Sequence, residues 1–76
     1  SITLAYVQDG VQLSLANLNG NGQLKVSNAL GQTVDSIRLA SGTEQYFMST
    51  AGYSAGVYNL ELVVEGERAF VTQFMK

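Results

Sequence analysis

Ser54-Ala55-Gly56-Val57-Tyr58-Asn59-Leu60-Glu61-Leu62-Val63-Val64, then Glu65-Gly66-Glu67, then Arg68-Ala69-Phe70-Val71-Thr72-Gln73-Phe74-Met75-Lys76, is the stretch whose reading decides the fold. Two runs rich in β-forming residues flank a three-residue turn centred on Gly66, which is the sequence form of a β-hairpin. In the first run Tyr58, Leu60, Leu62 and Val64 alternate with Asn59 and Glu61. Side chains of a strand point to opposite faces in turn, so this run predicts one buried face and one wetter one. In the second run Phe70, Thr72 and Phe74 share one face, and Val71, Gln73 and Met75 share the other. The rest of the chain must supply a sheet to cover the apolar face of this hairpin.

Working back to the start, Ile2 to Val7 reads as a strand with Ile2, Leu4 and Tyr6 on one face. Asp9-Gly10 is a hairpin signal, because both residues tolerate positive φ. Val11 to Leu18 alternates, with Val11, Leu13 and Leu15 inward. Asn19-Gly20-Asn21-Gly22 reads as a hairpin turn, and Gln23 to Asn28 follows as a strand burying Leu24 and Val26. Ala29-Leu30-Gly31-Gln32 is a tight turn in which Gly31 supplies backbone freedom. Thr33 to Leu39 is a strand anchored by Val34 and by Ile37 or Leu39, and Glu44 to Ser49 carries Tyr46, Phe47 and Met48. Thr50 to Gly56 is irregular. No segment sustains a helical apolar period, so no helix is expected. About seven short strands, spaced by turn signals, predict an all-β, immunoglobulin-like antiparallel β-sandwich with Greek-key connections. A single-sheet meander closed into a barrel is the alternative.

All 76 residues read as one domain, residues 1–76. A chain this short buries only about 60–65% of its unfolded surface, and without cysteine no disulfide supports it. The formal charge of −2 gives no basis for nucleic acid or a membrane surface as partner. No apolar run is long enough to span a bilayer as a helix. The chain has neither an initiating Met nor a signal peptide, so the expectation is a piece of a longer protein.

The chemistry expected of an enzyme is thin. Without His or Cys, the commonest general base and the thiol nucleophile are both missing. Asp9, Asp35, Glu44, Glu61, Glu65 and Glu67 fall mostly in turns or on wet strand faces, where a solvated carboxylate is the default. Asn17-Leu18-Asn19-Gly20-Asn21-Gly22 has the outline of a calcium loop, but Asn17 and Asn28 stand where that loop requires carboxylates. A binding module without catalytic site, cofactor or metal is therefore expected. Among the aromatics, alternation turns Tyr6 and Tyr58 inward and leaves Tyr53 as the exposed one, the candidate for a sugar-stacking platform.

Two motifs carry a family resemblance. One is Leu24-Lys25-Val26-Ser27-Asn28-Ala29-Leu30-Gly31-Gln32-Thr33-Val34, an alternating strand followed by Asn-x-x-Gly-x-x-apolar. The other is Ala55-Gly56-Val57-Tyr58 opening a penultimate strand, with a last strand running to Lys76. In this order and spacing they resemble the C-terminal sorting domain of cargo proteins of the type IX, or Por, secretion system. Two features of that pattern are replaced here. Val7-Gln8-Asp9-Gly10 stands near the usual Pro-Asn-Pro turn, and Thr72 and Gln73 or their neighbours replace the adjacent basic pair of the last strand, leaving Arg68 and Lys76 as the only basic residues there.

The resemblance implies a β-sandwich that acts as an export signal. It implies transit through the periplasm and delivery to the outer-membrane surface or the medium. The implied partners are the outer-membrane translocon and shuttle proteins, with a sortase-like transpeptidase and anionic lipopolysaccharide where the domain is removed. Gly56, Val57, Tyr58, Arg68, Phe70, Phe74, Met75 and Lys76 are the candidate recognition residues; Asn19, Gly20, Asn21, Gly22 and Gly31 are the turn positions. Lys76 is expected to be exposed, its charge separable from folding. The terminal strand, apolar and without proline, is expected to leave an edge open to a homodimer. An accessory sandwich, either carbohydrate-binding or a structural spacer, is the competing reading.

Overall fold

The computed structural model describes residues 2–16 and 18–76. Asn17, the first position of the calcium-loop outline, lies outside the described residues. Seven strands are present among them: β1 (Ile2–Val7), β2 (Gly10–Leu15), β3 (Gly22–Asn28), β4 (Thr33–Leu39), β5 (Gln45–Ser49), β6 (Val57–Val64) and β7 (Glu67–Met75). They form two antiparallel sheets, one ordered β1-β2-β5 and the other β4-β3-β6-β7. The chain is thus an immunoglobulin-like sandwich. In the constant-type arrangement the fourth strand would lie on the sheet of the first two; here it pairs with β3 instead.

The core follows the alternation of the sequence. Val11, Leu13 and Leu15 of β2 pack between the sheets against Leu24 and Val26 of β3 and Tyr58, Leu60 and Leu62 of β6. Leu60 has no exposed surface, so Leu60→Ala is expected to cost about 2–5 kcal/mol in denaturant unfolding. A loss below ~1 kcal/mol would place the residue outside a packed core.

Three turns differ from the sequence reading. The β6–β7 loop is a two-residue turn, because Val64 pairs with Glu67 and Glu67 already belongs to the strand. Glu65 (φ 50) and Gly66 (φ 82) both take left-handed backbone, the type I′ geometry that matches strand twist. In the β1–β2 hairpin Val7 pairs with Gly10, so Gln8 and Asp9 are the central residues and only Asp9 has positive φ. Gly10 is needed for close approach rather than for φ: a Cβ there would lie 2.7 Å from the Phe47 ring and would run into the Met48 carbonyl.

Asn19-Gly20-Asn21-Gly22 is not a hairpin turn but a crossover between the sheets. Both sides of β2 are occupied, by β1 and β5, so the chain must leave that sheet before β3 begins. The crossover is pinned by bonds from Gly20 N–H to Ser41 Oγ (3.0 Å) and from Ser41 N–H to Asn21 Oδ1 (3.1 Å). Gly20 takes φ 115 against the Glu65 side chain.

Two side chains expected inside are outside. Val34 falls in a bulge, since Val26 pairs with Asp35 and Ser27 with Thr33; the inward series of β4 is Asp35, Ile37 and Leu39. Positions 34 and 37 are an odd number apart and cannot share a strand face. Tyr6 is 61% exposed. It sits near the end of edge strand β1, where its hydroxyl reaches across to accept a hydrogen bond from Met75 N–H at 3.0 Å.

Candidate functional site

The two motifs lie more than twenty positions apart in sequence, yet the fold brings parts of both to one end of the sandwich. In the first, Asn28 closes the β3–β4 turn. Its Oδ1 accepts from the N–H groups of Leu30 and Gln32, both at 3.0 Å, and its Nδ2 donates to Gln32 Oε1 at 2.9 Å. Gly31 takes φ 84 and donates its N–H to the Asn28 carbonyl at 3.0 Å. The Asn-x-x-Gly spacing is therefore the hydrogen-bonding scheme of this turn. Its consequence is that Leu30 is held out at the tip, 84% exposed.

The second motif is built around Gly56, Tyr58 and the end of β7. Gly56 takes φ 152, backbone that a side chain would oppose. It exchanges hydrogen bonds with Lys76, whose N–H donates to the Gly56 carbonyl at 2.9 Å. Tyr58 is buried, and its hydroxyl donates to the Ser54 carbonyl at 2.6 Å, the tyrosine corner of immunoglobulin-like domains. Its ring stacks on Phe74 with centroids 5.5 Å apart, and Tyr53 packs on it at 5.0 Å. The register sets Val57 opposite Met75 and Tyr58 opposite Phe74. Met75 points to solvent, 66% exposed.

Between the two motifs lies a cleft of about 550 Å³, bounded by Asn28, Leu30 and Val34 on one side and by Tyr53, Gly56 and Val57 on the other. No charged residue lines it. Leu30, Val34, Val57 and Met75 thus give this end of the four-stranded sheet a cluster of exposed apolar side chains.

Six of the eight candidate recognition residues meet here: Gly56, Val57, Tyr58, Phe74, Met75 and Lys76. Arg68 and Phe70 do not. They sit at the other end of the β6–β7 ladder, Arg68 paired with Glu61 at 2.7 Å and Phe70 opposite Leu62. Among the six, Tyr58 and Phe74 are core residues, so any direct contact with a partner falls to the others. The residues missed from sequence are Leu30 and Val34, which read as turn and core. Leu30 was open to detection, since a leucine inside an Asn-x-x-Gly turn has no strand face to hide in.

Lys76 is not free of the fold. Its Nζ donates to the Thr50 carbonyl at 2.6 Å, and the N–H of buried Thr50 in turn donates to the Asp9 carbonyl at 3.0 Å. The end of β7 is thereby tied to the β5–β6 loop, and a charge reversal there acts on packing as well as on charge.

Tyr53 is also more enclosed than expected. It packs against the core, with its hydroxyl 3.4 Å from the Asp35 carboxylate. Burial, and then the charge of Asp35, push it up to about 12. A phenol raised above its unfolded value of about 10 contributes stability in full below that pH and loses it as pH rises toward the folded value. The urea midpoint should therefore fall between about pH 10 and 12, and Tyr53→Phe should flatten that fall. Equal slopes in the two proteins would mean that the hydroxyl titrates as if in water.

Residues 7–75 match the family described as the secretion system C-terminal sorting domain. This chain belongs to that family. Its members are the sorting signals of the type IX system, so the domain marks a protein for export to the outer-membrane surface or the extracellular space. Among solved structures it is similar to a DUF3244 family protein from Bacteroides vulgatus with an immunoglobulin-like β-sandwich fold. The TM-score is 0.88 at 19% identity, over 99% of this chain and 83% of that one; this likeness concerns the fold alone. No curated protein matches the sorting domain in sequence.

Proposed function

We propose that this sorting domain works by being bound, and that the surface read by the secretion machinery is the largely apolar surface around the uncharged cleft where the two family motifs meet. The observation that supports the reading is the division of labour within the motifs. Asn28, Gly31, Gly56 and Tyr58 build turns and core, and what they hold outward is Leu30, Val57 and Met75. Exposed apolar side chains held in place by a hydrogen-bonded turn, as Leu30 is, or by a strand pair, as Val57 and Met75 are, are the pre-organised anchors that a protein partner can bury at low entropic cost. In this reading the partners are a shuttle protein and the outer-membrane translocon, met after passage through the periplasm. A sortase-like transpeptidase and anionic lipopolysaccharide act later, where the cargo is attached to the surface.

The test is export of a folded reporter carrying a Sec signal and this domain, in a host with type IX machinery. Surface display is expected with the domain and periplasmic retention without it. Display that does not require the domain would end the proposal.

A further inference from the structure

We propose that the β7 edge pairs with the β7 edge of a second copy of this chain, antiparallel and centred on Thr72. The hydrogen bonds between Gly56 and Lys76 fix the phase of the β6–β7 ladder. Antiparallel pairs alternate between bonded and non-bonded, so Met75, opposite Val57, turns its N–H away from β6, and that group is met by Tyr6. Gln73 and Val71 follow in the same phase and turn their N–H and C=O groups outward. Among the described residues no strand pairs with them. The edge is closed at both ends: Tyr6 caps Met75, and a bulge at Ala69, where Leu62 pairs with Phe70 but Val63 with Arg68, bends the strand away. What stays open is the window from Phe70 to Phe74.

That window reads Phe70-Val71-Thr72-Gln73-Phe74 and is nearly palindromic about Thr72. A two-fold interface brings the same patch of both copies together. Centred on Thr72, it sets Val71 opposite Gln73 of the second copy and Gln73 opposite Val71. Those are the residues whose backbone groups point outward, so both pairs exchange hydrogen bonds. On the inner face Thr72 stands opposite Thr72, a favourable cross-strand pair, while Phe70 stands opposite Phe74 of the second copy, whose ring is already buried in its own core. Phe70 has surface left to cover, being half-buried beside a groove of about 330 Å³ between β1 and β7. No charge lies within the window. The nearest like charges to approach are Arg68 and Lys76, and each is already turned to its own partner, Glu61 or Thr50. The edge lacks the lysine, proline or inward charge that usually blunts such strands.

Cysteine cross-linking reads the register, because the chain has no cysteine of its own. Position 72 meets its own copy across a non-bonded pair with Cα atoms about 4.5 Å apart, inside the range a disulfide spans. Position 71 meets its copy only diagonally, at about 7–8 Å. Thr72→Cys is therefore expected to form a covalent dimer under mild oxidation at concentrations where Val71→Cys does not. In sedimentation, the wild type should pass from monomer to dimer as concentration rises. Val71→Pro removes an outward N–H while leaving the β6 ladder intact, and should weaken the dimer about thirtyfold. A wild type monomeric to millimolar concentration, equal cross-linking at positions 71 and 72, or a dimer unaffected in a folded Val71→Pro protein would each overturn the proposal.

Discussion

Phe74→Ala is expected to remove about 3–5 kcal/mol of unfolding free energy, the largest effect of any single substitution considered. Phe74 is 1% exposed, stacks on Tyr58 and packs near Tyr53. Removing its ring opens a cavity bordered by two tyrosines that are themselves held by hydrogen bonds, Tyr58 to Ser54 and Tyr53 to Asp35. Such a surround relaxes poorly, which places the cost toward the upper part of the range. A domain of 76 residues has about 4–11 kcal/mol in all, so this one change removes a large share of the stability. Urea unfolding followed by circular dichroism measures this directly. A loss below ~1 kcal/mol would mean that the aromatic cluster is not part of the core.

The same number changes how the export signal is to be tested. Deleting Phe74 to Lys76 removes a core ring and the Lys76–Thr50 tie together with exposed Met75. A loss of export after that deletion would report unfolding as much as recognition. Lys76→Glu is compromised for the same reason, since it sets a carboxylate against the Thr50 carbonyl. The discriminating changes are at residues that face solvent and make no tie, and Leu30 and Val57 are two of these.

Much of this was legible in the sequence, and where it was not there is a physical reason. The alternation in β2, β3 and β6 gave the core, because those strands have neighbours on both sides and one face that must be dry. Alternation served less well at sheet edges. Tyr6 has the parity of an inward residue, but near the end of an edge strand its hydroxyl finds a partner on β7 instead. The Asn19 to Gly22 segment carries the composition of a hairpin turn. Composition reports that the backbone bends there and is silent on whether the next strand pairs with the last one. Of the candidate site, Gly56, Val57, Met75 and Lys76 could be named because their motif is local. Leu30 and Val34 joined them only through the pairing of β3 with β6, which sets Asn28 opposite Tyr58.

The second large effect is on export itself. Leu30→Asp with Val57→Asp adds two carboxylates to the largely apolar surface around the uncharged cleft. Both side chains are already exposed, so the stability cost should stay within about 1 kcal/mol, while burying either charge against an apolar partner is far more costly. The most direct measurement is the fraction of a fused, folded reporter that reaches the cell surface in a type IX host, beside the unfolding midpoint of each domain. The account predicts that the double variant unfolds at nearly the wild-type urea concentration and leaves its reporter in the periplasm, with surface display reduced at least about tenfold. A double variant that is equally stable and displayed at the wild-type level would contradict it, and would place recognition elsewhere on the domain.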